Sequence, residues 1–230
     1  MKALICYHAS MGIIDVTERA SRRRFLAGVG VAAAGLTLPA LRGPTAARLA
    51  PPAAAYPQAI PDPRQPRLWH RAMAALDTHA DRIPHRDVVG VVDFAESSRV
   101  PRFHLIDVRN GRLVTHLVAH GSGSDPDRSG WVERFSNQPD SNATSRGSFV
   151  TGQTYFGKHG RSRRLVGLDP ENSMAESRGI VIHAASYVSE VVAAAQGRIG
   201  RSQGCLAVSA EAIGEVLERL GPGRLILAWK

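Results

Sequence analysis

The chain has 230 residues, with 29 lysines and arginines against 20 aspartates and glutamates, a formal net charge of +9, and two cysteines. Seven of the basic and two of the acidic residues lie among the first 55, leaving 22 against 18 over the other 175. That mild balance, with scattered arginines and no interleaved aromatics, excludes a nucleic-acid footprint, and the length left is enough for one domain with a substantial core but not for two.

The N-terminal part reads as a leader. Ser21-Arg22-Arg23-Arg24-Phe25-Leu26 precedes the apolar stretch 27–38 and a Pro/Ala/Arg-rich segment, the pattern of a twin-arginine-type export signal. The apolar run is about a dozen residues, short of the roughly 20 that span a bilayer, so no stable membrane span is expected in the mature protein. Ala-x-Ala sites such as Ala53 to Ala55 offer cleavage points, and either Met1 or Met11 can start the chain. Cys6 lies ahead of the arginines and is lost with the leader. The expected division is a signal and spacer over 1–55, a linker with one short helix over 56–86, and a catalytic unit over 87–230. The expected location is the periplasm or cell envelope.

In chain order, Leu68 to Thr78 places Leu68, Ala72, Met73, Ala75 and Leu76 on one face and predicts an amphipathic helix. Val88 to Phe94, Phe103 to Val108 and Leu113 to Ala119 read as strands, with Asn110-Gly111 marking a hairpin between the last two. Residues 121–145 are rich in Gly, Ser, Asp and Pro and predict a long loop, which in a compact domain is more often functional than idle. Three more strands are predicted at Ser148 to Tyr155, Arg164 to Leu168 and Gly179 to His183. A helix follows from Ala210 to Leu220, capped by Ser209 and stopped by Gly221-Pro222, and then a last strand from Leu225 to Trp229. The fold class expected is mainly β, a sandwich or barrel with a few short helices.

The chemistry lies late in the chain. Cys205 is the only cysteine beyond the leader. A lone thiol in an exported protein is either a small buried hydrophobe, an intermolecular bridge or a reactive nucleophile. His183 ends the run Ile180-Val181-Ile182, and Cys205 follows in a loop entered through Gly197, Gly200 and Gly204. A strand end and a glycine-rich loop can bring imidazole and thiol together, and the histidine then draws off the thiol proton and delivers it to a leaving amine. Gly204 allows the tight turn that aims backbone N–H groups at an oxyanion, and Ser202 is a turn former or a nearby hydroxyl. Gln203, between the serine and the glycine, is a further substrate-side candidate. His120 is weighed between a substrate contact and a core-edge residue at the turn Gly121-Ser122-Gly123. No zinc site is expected, because His70, His79, His85 and His104 lack ligand spacing, and no cofactor is expected at all.

Four stretches carry a resemblance: Phe135-Ser136-Asn137; Thr151-Gly152-Gln153-Thr154-Tyr155-Phe156-Gly157-Lys158-His159-Gly160; Gly179-Ile180-Val181-Ile182-His183-Ala184; and Gly200-Arg201-Ser202-Gln203-Gly204-Cys205-Leu206-Ala207-Val208. From about Asp87 onward the chain resembles the YkuD-type L,D-transpeptidases, in the murein L,D-transpeptidase catalytic-domain branch. The resemblance implies a β-rich catalytic fold with Cys205 as nucleophile and His183 as base, the histidine's third partner being a backbone carbonyl. Tyr155, Lys158 and His159 lie in the stretch most characteristic of the branch and are on that ground candidates for the pocket wall, Lys158 as a point charge for a carboxylate. The partner it implies is a peptidoglycan stem peptide. Cys205 would attack the L-centre carbonyl of the third-position diamino acid, expel D-alanine, and pass the acyl group to a neighbouring stem's amine.

Departures from that pattern are Ala184 in place of glycine after the histidine, Gln203 in place of histidine or arginine, Leu206 in place of proline, and Ala207 in place of arginine. They leave nucleophile and base intact and bear on substrate preference. Transfer to water instead of an amine would make an L,D-carboxypeptidase or endopeptidase, and loss of turnover a wall-binding module. A sortase is excluded by the missing Thr-Leu-x-Thr-Cys motif, and papain-like peptidases place the cysteine before the histidine.

Overall fold

The computed structural model describes residues 66–230; the leader, its cleavage sites, the alternative starts and the spacer up to residue 65 lie outside the described residues. The described part is mainly β. Eight strands, β1 (Val88–Asp93), β2 (Phe103–Asp107), β3 (Leu113–His116), β4 (Gly147–Gly157), β5 (Gly160–Gly167), β6 (Val181–Ala184), β7 (Leu206–Val208) and β8 (Leu225–Trp229), form one mixed sheet in the order β3-β2-β1-β8-β4-β5-β6-β7. Three short helices accompany it: α1 (Pro66–Thr78), α2 (Glu190–Gln196) and α3 (Ile213–Arg219). Among the described residues no helix is long and apolar enough to cross a membrane.

The central strands are buried on both faces, as their nearly continuous apolar sequences require. In β8, Leu225 and Leu227 face a cluster with Ala72, Leu76 and Ile83 of the α1 region, while Ile226 and Ala228 face Val216, Leu217 and Leu220 of the α3 region. Each such fully buried aliphatic side chain is worth roughly 1.5–3 kcal/mol of transfer free energy. Gly90 is glycine for want of room: a Cβ there would sit 3.0–3.1 Å from Phe103, Ile226 and Leu220. The predicted α1 is thus part of the packed domain, laid across β1 and β8.

The strand predicted over 113–119 ends at His116, because the chain then changes partner. Ala119 bridges to Ala207 of β7, its amide donating to the Ala207 carbonyl at 2.8 Å, and Gly121 bridges to Ser202. β3 and β7 are the two sheet edges, yet only two residues separate His116 from Ala119, a reach of about 11 Å over three steps. The sheet therefore curls until its edges are joined, and that closure leaves residues 119–121 running beside the loop that carries Cys205.

Other differences have local causes. The Asn110-Gly111 turn is wider than a two-residue hairpin: Asp107 caps it, accepting from Arg109 N and Asn110 Nδ2, and Gly111 takes φ 68°. β4 and β5 extend to a two-residue tip at Lys158-His159, past a bulge between Thr151 and Thr154. There Arg163 Nη1 donates to the Gly152 carbonyl at 2.8 Å. The last helix starts at Ile213, not Ala210: Ser209 Oγ accepts from Ala212 N at 3.2 Å, so the cap holds a turn ahead of the helix. α2 and β7 were not predicted. α2 nonetheless carries ordinary signals, Ser189 Oγ accepting from Val192 N and Gly197 closing it at φ 67°.

Candidate active site

The segment Gly179 to Ala184 enters the sheet as β6 because Val181 and Ile182 are buried apolar residues, and it pairs in parallel with β7. The register is Ile182 with Leu206, His183 with Ala207 and Ala184 with Val208. Side chains alternate between faces, so Cys205, two residues before Ala207, lies on the face that carries His183. Parallel pairing of two very short strands thereby brings together residues 22 positions apart.

The loop that carries Cys205 is held by its own serine. Ser202 Oγ donates to the Cys205 carbonyl at 2.7 Å and accepts from Gly204 N at 3.1 Å. Gly204 adopts φ 113°, and a Cβ there would lie 2.8 Å from the Ala143 carbonyl and 2.9 Å from Ile180. Both the conformation and the space demand glycine. From the other side, Ser202 N donates to the His120 carbonyl and Ser122 N to the Ser202 carbonyl.

His183 is buried, 2% exposed, and its Nδ1 lies 2.9 Å from the Ala184 carbonyl. A carbonyl can only accept, so Nδ1 carries the proton and Nε2 is left with the lone pair. Its imidazole stacks on His159 from the hairpin tip, with centroids 4.2 Å apart. Burial holds its pKa below the ordinary value, the Ala184 bond opposes this, and the His159 and Lys158 side chains push it down further. Burial raises the Cys205 thiol, opposed by the Val181 amide, Arg178 and Lys158. The thiol's hydrogen-bond partner is the Gly179 carbonyl at 3.7 Å. In both groups burial is the largest cause, and it disfavours the charged form.

An open cavity of about 740 Å³ surrounds the pair. Tyr155, Lys158, His159, His183, Ser202, Gln203 and Cys205 all line it, while Gly204 is buried beneath the loop. Two further lining residues escaped the sequence reading. Tyr187 packs where a Cβ on Gly200 would strike its ring, and burial together with Cys205 pushes its hydroxyl up to about 12. Arg178 fixes the long loop: Nη1 donates to Ser136 O and Ser145 Oγ, and Nη2 to Ala143 O and Ser141 Oγ. Its signal was the Ser136 motif, whose neighbour Asn137 bonds Pro170 O and Met174 N. Among the described residues no group of three or more metal-ligating side chains is placed to hold an ion.

A family model described as the L,D-transpeptidase catalytic domain matches residues 63–229. The chain belongs to the L,D-transpeptidase catalytic-domain family. No curated protein matches it significantly. Solved structures similar to this L,D-transpeptidase domain include an L,D-transpeptidase from Mycobacterium smegmatis (14% identity, TM-score 0.39, 63% of this chain and 59% of that one). Two from Mycobacterium tuberculosis are L,D-transpeptidase 1 (14%, 0.35, 63% and 62%) and L,D-transpeptidase 3 with a faropenem-derived adduct (13%, 0.39, 63% and 60%). The chain thus spans about 60% of the length of these structures.

In this L,D-transpeptidase domain His120 does not line the Cys205 cavity. It is wholly buried, with Arg102 Nη2 2.7 Å from Nδ1 and Asp125 Oδ2 3.2 Å from Nε2. The Arg102 guanidinium must donate, so Nδ1 accepts and Nε2–H donates to Asp125. Burial and Arg102 push the His120 pKa down to about 4. The Asp125 carboxylate also accepts from Ser129 N, Ser129 Oγ and Gly130 N.

Proposed function

We propose that the domain is a cysteine-dependent acyltransferase acting on peptidoglycan stem peptides. The observation that carries this reading is the shared face of β6 and β7, with His183 and Cys205 lining one cavity and His183 Nδ1 engaged by the Ala184 carbonyl. That leaves Nε2 to take the Cys205 proton as the sulfur bonds to the carbonyl carbon of the third-position residue. The tetrahedral oxyanion falls to the Cys205 amide, since the Gly204 amide is engaged by Ser202. Collapse breaks the C–N bond, Nε2 returns the proton to the departing D-alanine amine, and a thioester remains. An amine from a second stem then displaces the thiolate to give a crosslink; water in its place gives a carboxypeptidase. Lys158 supplies a positive charge beside both groups and is suited to a donor carboxylate.

A carbapenem, a mimic of the acyl donor, tests the nucleophile. Intact-mass measurement should find one adduct on the wild type and none on Cys205→Ala; a wild type left unmodified with its thiol reduced overturns the reading. Incubation with muropeptides then separates new dimers from shortened monomers. The reading extends to export through the arginine-rich leader. Replacing Arg22 and Arg23 by lysine should retain the protein inside the cell, and undiminished export of that variant overturns this part.

A further inference from the structure

A second cavity, of about 400 Å³, adjoins the nucleophile loop. It shares Arg201, Ser202 and Gln203 with the Cys205 cavity and adds Arg128 and Arg198, while no aspartate or glutamate lines it. Three arginines from two distant segments do not converge on one hollow by charge preference, because like charges repel. The fold holds them there. Arg128 is a non-glycine residue at φ 57°, a conformation that side-chain-bearing residues seldom adopt and that is commonly associated with function. It is imposed by the turn that follows Asp125: Arg128 N donates to Asp125 O, and Ser129 N and Gly130 N donate to the Asp125 carboxylate.

The other two arginines lean on the same turn. Arg198 packs so closely on Gly130 that a Cβ there would lie 3.0 Å from its own Cβ. Arg201 Nη1 donates to the carbonyls of Asp125 and Ser122. In that turn the Asp125 carboxylate is wholly buried and its hydrogen bonds go to His120, Ser129 and Gly130, not to the side chains of Arg128, Arg198 or Arg201. Asp127 is exposed and does not line the hollow. The buried Arg102–His120–Asp125 chain, which the acyl-transfer chemistry leaves unused, is thereby the foundation of an arginine cluster beside the nucleophile.

We propose that this hollow is an anion subsite that receives a carboxylate of the acceptor stem, so that the acceptor's side-chain amine meets the thioester on Cys205. The proposal rests on the peptidoglycan reading given above. Transfer needs two substrates at one sulfur, and the donor takes the cavity that holds Cys205 and His183. A planar guanidinium cluster suits carboxylates, which stem peptides carry, better than it suits neutral sugars. In the step itself the amine nitrogen bonds to the acyl carbon, the C–S bond breaks, and the amine proton passes to His183 Nε2.

Binding to the full-length Cys205→Ala protein tests this without requiring turnover. The probe is a synthetic tripeptide stem ending in its diamino acid, as free acid and as the amide, titrated by calorimetry. The acid form should bind on the order of tenfold more tightly than the amide, and Arg128→Gln with Arg198→Gln should abolish that preference. Arg109→Gln, on the exposed β2–β3 turn, should leave it intact. Equal binding of acid and amide to the Cys205→Ala protein, or a preference that survives the double replacement, overturns the subsite. Tighter capture of glycerol phosphate than of the acid stem reassigns the hollow to a phosphate polymer and overturns the acceptor assignment. A failed carbapenem adduct on wild-type protein bears instead on the acyl-transfer reading, which this titration does not use.

Discussion

The imidazoles of His159 and His183 lie stacked with their planes 22° apart, so the exposed tip of the β4–β5 hairpin covers the histidine that β6 presents to the cavity. An aromatic stack of this kind is worth about 0.5–1.5 kcal/mol beyond its area, up to roughly a tenfold effect on a rate that depends on the ring's orientation. His159→Ala should slow carbapenem acylation by about that factor, while His159→Phe, which keeps the stack, should stay within about threefold. Equal loss in both variants would show that the ring contact is not what matters.

Lys158 depresses both His183 and Cys205, and its removal should therefore move two titrations in one direction. The working form of His183 is the neutral one, so activity is present above its lowered pKa and is lost as pH falls through it. Lys158→Met should raise that pKa and shift the acid limb of the acylation profile to higher pH. The same variant should raise the thiol's pKa and slow iodoacetamide alkylation of Cys205 at fixed neutral pH. A profile that shifts the other way, or alkylation that quickens, contradicts the placement of Lys158.

Gly204→Ala meets both a left-handed φ and two atoms under 3 Å from the new methyl. The strain is of order 1–3 kcal/mol, and a displacement of about 1 Å at a reacting group can cost on the order of 100-fold in rate. Acylation should fall far more than the midpoint of urea unfolding. A fully active variant would show that the loop tolerates another path.

Stability should be sensitive to mild acid because of His120. Its folded pKa, about 4, is depressed from 6.5, so its contribution is complete above about pH 6.5 and drains away as pH falls towards 4. At 1.36 kcal/mol per pKa unit this amounts to about 3 kcal/mol. Unfolding midpoints measured from pH 7 to 4 should fall steeply in the wild type and less steeply in His120→Gln, which is less stable at pH 7 but has no ring to protonate. Parallel slopes would locate the acid sensitivity elsewhere.

Much of this architecture was legible beforehand because it is written in short-range pattern. The apolar runs of β1 and β8 and the amphipathic stripe of α1 follow from alternation and helical period, and each emerged close to its predicted span. Shorter elements lacked that support: β7 has three residues, and its identity as a strand comes from pairing with β6, not from its own sequence. The turn at Lys158-His159 lacks the usual glycine or asparagine at its two central positions, so β4 and β5 were read as separate and too short.

By itself the sequence determined that the chain carries a β-rich domain, and that His183 and Cys205 stand in the motifs of the L,D-transpeptidases. The tertiary structure decided which other side chains meet them. Closure of the sheet through residues 117–121 buries His120 on Arg102 and Asp125 instead of exposing it to the cavity, and pairing of β6 with β7 turns two distant residues onto one face. Periodicity along a chain reports which face a residue occupies within its own element. Partners far apart in the chain, such as His183 and Cys205 or Gly121 and Ser202, depend on how the sheet pairs and curls, and that is set by the packing of the whole core.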